Sequence, residues 1–136
     1  YDAARRCLQD REWRVEMGPS ALTELSDYLD EKSTLLLRLL VNQNLLEHES
    51  FTDLLRAVFH LKEELLSRPW FDGLPESDLQ HLRGDVKRVY PLLARQWLSH
   101  LQFLGGNYPY LHSLAVRTKP FDEPGPPISV PAEVEN

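Results

Sequence analysis

From Leu79 to Leu104 apolar side chains return every three or four residues: Leu79, Leu82, Val86, Val89 and Leu93, then Trp97, Leu101 and Leu104 on the same face. Only a helix keeps such a set on one side, so the run predicts the longest helix of the chain. Pro91 lies inside it. Proline supplies no N–H and crowds the carbonyl four residues back, which predicts a kink near Val86–Tyr90 or a restart at Pro91. Gly105-Gly106-Asn107 should stop the helix, because glycine takes the left-handed cap conformation without steric cost.

The rest of the chain reads as shorter helices with punctuation between them. Pro19 follows Gly18 and opens a helix to about Tyr28 or Leu29. A second helix, from about Ser33 to Leu46, carries leucines nearly all round, which predicts burial on most sides, as the centre of a bundle or under a partner subunit. Ser50 with Asp53 three residues on reads as a cap, and the stripe Phe51, Leu54, Leu55, Val58, Phe59, Leu61, Leu65 and Leu66 follows. Arg68-Pro69 ends that helix. Trp70-Phe71 is an aromatic pair in the connection, either a plug on the core or an exposed patch. Pro75 and Ser77, with Gln80 three beyond, mark the next start, and Pro109 opens a last helix to about Val116. These elements predict an all-α fold, an antiparallel bundle of four to five helices over residues 19–118. Residues 1–18 form a basic leader of ambiguous structure, in which Trp13–Met17 alternates like a short strand. Residues 119–136, with five prolines and three acids after Asp122, read as a disordered tail or an extended strap.

Composition narrows the function classes. A chain of 136 residues with 42% hydrophobic and 26% charged side chains is a single globular domain's worth of sequence. Its net charge of −6 excludes a general nucleic-acid binder, which would carry a basic face. Within the leader, Arg5, Arg6, Arg11 and Arg14 face three acids, so the segment is either solvated or close to an anionic membrane surface. Cys7 is the only cysteine, so no internal disulfide can form. The longest apolar stretches, Leu35–Leu37 and Leu39–Val41, are split by Arg38 and fall short of a membrane span.

Candidate chemistry centres on the five histidines. His60 and Glu64 lie four apart on one helical face, as metal ligands can. Asp78 and His81 lie three apart, the carboxylate-x-x-His spacing of di-metal bundles. His48 and His100 are preceded at that distance by Leu45 and Trp97, so the motif does not repeat. No dedicated metal site, cofactor or catalytic residue is assigned on this basis. His60 also suits a phospho-accepting role, or simply the flank of its apolar stripe. Cys7 has no neighbouring histidine, and the serines sit at caps and turns. There is no hydrolase elbow and no glycine-rich phosphate cradle.

Several strings carry a resemblance. They are residues 40–55 (Leu40-Val41-Asn42-Gln43-Asn44 onward), Ala57-Val58-Phe59-His60-Leu61, His81-Leu82 with Gly84-Asp85, Arg88-Val89-Tyr90 and Trp97-Leu98. The last are Tyr108-Pro109-Tyr110-Leu111, Ser113–Thr118 and Pro120-Phe121-Asp122. Over roughly residues 35–122 the chain resembles a cytosolic helical region of uncharacterised prokaryotic membrane proteins of the ion-channel-like, two-transmembrane potassium-channel type. The resemblance implies a non-enzymatic accessory domain on the cytoplasmic side of the membrane. Such a domain assembles, anchors or regulates a pore located elsewhere. The chain itself has no Thr-Val-Gly-Tyr-Gly signature. Its expected partners are other copies of the chain, through helical surfaces, and the membrane segments of its parent. The residues expected to define the fold or an interface are Leu36, Phe51, Phe59, Tyr108, Tyr110 and Phe121. A free-standing signalling or adaptor module is the rival, and a weak metal-binding bundle the third reading.

Overall fold

The computed structural model describes residues 1–118. Among these there are seven helices and no strand: α1 (Asp2–Asp10), α2 (Pro19–Glu31), α3 (Ser33–Leu40), α4 (Gln43–Leu46), α5 (Glu49–Leu66), α6 (Glu76–Asn107) and α7 (Pro109–Thr118). None of them is long and apolar enough to cross a membrane. The all-helical class is as the periodicity predicts. Phe121 and the Pro-rich segment lie outside the described residues.

The core joins α2, α5 and α6. Leu22 and Leu29 of α2 meet Leu61 and Leu65 of α5 and Leu79, Leu82 and Val86 of α6, with Phe71 closing one end. Leu22, Leu65 and Leu82 are wholly buried, each worth about 1.5–3 kcal/mol of transfer free energy. Of the aromatic pair in the connection, Phe71 is the plug and Trp70 faces solvent. The chain reverses there at Gly73, whose φ of 79° suits a residue without Cβ. α5 and α6 then run antiparallel. Ser50 meets Gln96, His60 meets Asp85, Glu64 meets His81 and Arg68 meets Asp78, each step forward on α5 matched by a step back on α6.

Several local expectations change. The predicted helix over residues 33–46 is two helices, and it is not central. Asn42 takes an extended conformation, and its side chain accepts from the N–H groups of Asn44 and Leu45, which restarts the helix as α4. Only Leu36 of α3 is buried, while Leu35, Leu37, Leu40 and Val41 are exposed. Ser50 does not cap α5. The helix begins two residues earlier than a Ser50 cap would set, at Glu49 behind His48, and the Ser50 hydroxyl accepts from Gln96 Nε2 at 2.9 Å instead. α6 runs continuously through Pro91, and Lys87, whose carbonyl loses its helical donor, lies on the exposed side.

The two ends of the described chain meet on α6. Residues 2–10 form α1, which packs on α6 with Arg5 bonded to Gln102, and Tyr1 bonds His112 of α7. Residues 13–17 form no strand, and Val15 and Met17 rest on the core. Gly105 does not stop α6. A Cβ there would stand 3.2 Å from the His112 ring, so glycine lets α7 lie close against the helix.

Candidate metal centre

The antiparallel register of α5 and α6 brings four chemistry-bearing side chains to one place. His60 and Glu64 are four apart on α5, and His81 and Asp85 are four apart on α6, so each pair lies on one face of its helix. Those two faces are opposed. One donor atom from each of the four lies within 4.8 Å of the other three.

The arrangement alternates. His60 Nε2 lies 3.5 Å from Asp85 Oδ1 and 4.0 Å from Glu64 Oε1. His81 Nε2 lies 3.5 Å from Asp85 Oδ2 and 3.7 Å from Glu64 Oε2. Each imidazole therefore stands between two carboxylates, and each carboxylate turns one oxygen to each imidazole. Donors on a first-row metal ion sit about 2.0–2.2 Å from it, which places neighbouring donors about 3–4 Å apart. The ring's contacts of 3.5–4.0 Å alternate between the two oxygens of each carboxylate, and with one donor per residue all four lie within 4.8 Å, so an ion would draw the side chains slightly together.

Burial grades through the cluster. The Asp85 side chain is 2% exposed, Glu64 29%, His60 46% and His81 53%. Asp85 is thus the floor and the histidines are the rim. Asp85 Oδ1 accepts from Arg88 Nη1 at 3.2 Å, while Oδ2 is buried and, with His81 Nε2 3.5 Å away, has no hydrogen-bond donor among the described residues. A buried carboxylate oxygen without a donor is costly, and such groups in native proteins usually answer to a function or a missing ligand. Periodicity would place an apolar residue here, since Asp85 lies between Leu82 and Val86 on the core side of α6.

Two arginines hold the carboxylates from outside. Arg68 forms a forked pair with Asp78, Nε to Oδ2 at 2.7 Å and Nη2 to Oδ1 at 2.6 Å. Its Nη1 donates to Glu64 Oε2 at 3.2 Å and to the Glu64 carbonyl. The Arg68 hydrogen bonds hold both the Glu64 and the Asp78 carboxyl below the usual range, against the opposing effect of desolvation, and they raise the guanidinium's own pKa. Glu64 is therefore ionised and oriented, as a ligating carboxylate must be.

The sequence pairing of His60 with Glu64 is realised. His81 is paired differently, because Asp78 is taken by Arg68 and the acid that reaches His81 is Asp85, four residues after it. The signal that finds the cluster is His-x-x-x-acid, once on each of two successive helices, rather than acid-x-x-His.

The other singled-out residues lie elsewhere. Leu36 is buried within this single chain. Phe51 is half-buried on α5. Phe59 lines a groove of about 480 Å³ with Leu40, Leu46, Thr52, Leu55, Arg56 and Glu63, and His60 is not part of it. Tyr108 and Tyr110 are exposed at the far end of α6, and Phe121 is outside the described residues.

A family described as "Uncharacterized protein MJ1433, C-terminal helical domain" matches residues 1–117. The uncharacterized protein MJ1433 of Methanocaldococcus jannaschii is 47% identical over 122 residues, which is 90% of this chain and 49% of that protein. The chain thus spans about half the length of this relative. No solved structure matches it. The chain belongs to the MJ1433 C-terminal helical-domain family.

Proposed function

We propose that this member of the MJ1433 C-terminal helical-domain family binds one divalent first-row transition-metal ion between α5 and α6. His60, Glu64, His81 and Asp85 are its ligands. The observation that carries the reading is the buried Asp85, whose Oδ2 has no donor and points into a ring of two imidazoles and a second carboxylate. Imidazole and carboxylate together suit zinc, iron, cobalt, nickel or manganese rather than calcium or magnesium. Two ionised carboxylates balance the charge of a divalent ion. Arg68 and Arg88 donate to Glu64 Oε2 and Asp85 Oδ1, oxygens that also face His81 and His60, and by competing for them they temper the affinity. The competing account is a pH-dependent cluster in which protonated imidazoles neutralise the acids, with no metal.

Calorimetric titration of the chelator-stripped chain with zinc separates the two. One ion per chain is expected, and His81→Ala or Asp85→Asn should each weaken binding by tenfold or more, since each removes a ligand. Less than about a tenth of an equivalent bound at saturation would overturn the reading.

Assembly is a second reading, favoured by the exposed Leu35, Leu37, Leu40 and Val41. Its extension to a membrane-bound, ion-channel-like parent rests on the motif resemblance alone. The descriptions of the family and of its relative contain no channel.

A further inference from the structure

Granting the metal site, we propose that the bound ion keeps a coordination position open on the solvent side, between His60 and His81, and takes a small anion there. A carboxylate or phosphate oxygen is the class of ligand that fits. This inference rests on the metal reading and deepens it.

The first argument is the shape of the donor set. All four donors come from two adjacent helices, and among the described residues none reaches over from the outside. The deepest, Asp85, is 2% exposed, while the two imidazoles at the rim are about half exposed, at 46% and 53%. Four protein donors fill a tetrahedral site, so an exogenous ligand takes a fifth position, as such ions adopt on expansion, and that position needs a side left to solvent. Here the side opposite Asp85 is the uncovered one.

The second argument is charge. The immediate cluster holds three carboxylates (Glu64, Asp78 and Asp85) and two guanidiniums (Arg68 and Arg88). That leaves one negative charge with neutral imidazoles. A divalent ion reverses it to one positive charge, which a monoanion balances. Arg88, with its side chain 62% exposed and Nη1 on Asp85 Oδ1 at 3.2 Å, adds its positive charge from the Asp85 side of the site. The remainder of the chain is acidic, so the metal makes this spot a local exception.

The test uses the chain loaded with cobalt(II), whose visible absorption reports its coordination, and sodium azide as the anion probe. Acetate and inorganic phosphate serve as competitors. The expected result is a saturable change in the cobalt spectrum on adding azide, reversed by acetate or phosphate. On the cobalt-saturated Arg88→Gln chain azide should bind about fivefold more weakly, the effect of removing one nearby positive charge, with cobalt affinity titrated separately because Arg88 also holds Asp85 Oδ1. Cobalt bound with a spectrum that azide does not alter would overturn the open position and leave the metal site standing. Failure to bind cobalt, zinc or nickel would remove both.

Discussion

Arg68 shows how one residue can set the chemistry of a neighbour. It closes the α5–α6 end by gripping Asp78 and also anchors Glu64, a proposed ligand. Because the folded-state pKa values of Glu64 and Asp78 are lowered, their contribution to stability is present above the ordinary carboxylate range of about 4. It is lost as pH falls through the lowered values. Arg68→Met should therefore melt below the parent at pH 7, and the gap should close as the pH drops below about 3–4. Thermal melts of both chains across pH 2.5–7 (roughly the window in which carboxylates titrate) check this. A gap independent of pH would mean that the aliphatic stem, not the charge, does the holding. At this scale the sequence was half legible. His60 and Glu64 share a face by spacing alone. Asp85 required noticing an acid at a core register position, three beyond Leu82 and one before Val86, where local pattern reading expects only apolar side chains.

At the scale of elements, α3 is the instructive case. Eight leucine-rich residues read as buried all round, yet the fold buries Leu36 and leaves its neighbours in solvent. Periodicity cannot resolve which of several consecutive leucines turns inward when the helix is only two turns long, and the break at Asn42 was hidden by leucines on both sides. The two kinds of position should respond differently. Leu36→Asp places a charge in the core and should cost more than about 3 kcal/mol. Leu37→Asp, at an exposed site, should stay within about 0.5 kcal/mol. Urea melts of the two variants distinguish them. Under the assembly reading Leu37→Asp would also lower the sedimenting mass, and an unchanged monomeric mass in both parent and variant would remove that reading. The long helix α6 was legible as a helix because its periodic run is sustained, but the stripe shifts beyond Pro91, where Ala94 is buried and Leu93 exposed. The helix ends at Asn107, the last residue of the Gly105-Gly106-Asn107 signal, but neither glycine takes the left-handed conformation, and Gly105 serves the close packing of α7.

For the whole molecule, metal binding and folding are one equilibrium. The ligands come from α5 and α6, the same two helices that supply Leu61, Leu65, Leu79, Leu82 and Val86 to the core. An ion that binds only the folded chain adds about 2.7 kcal/mol when present at a hundredfold its dissociation constant. For a domain of this size that is a rise in Tm of about 5–15 °C. Scanning calorimetry with zinc and with a chelator should show this rise, and Asp85→Asn, with binding tenfold or more weaker, should at least halve it. The antiparallel pairing that builds the cluster follows from the short connection after Arg68. What brought Tyr1 to His112, by contrast, lies in contacts more than a hundred residues apart, which no local pattern encodes. That closure has a mechanical consequence. α1 and α7 both attach along the later part of α6, beyond Pro91, whereas the His81–Asp85 turn lies before it. Tension applied at residues 1 and 118 would peel the outer helices first, and the load would reach the four-ligand ring last.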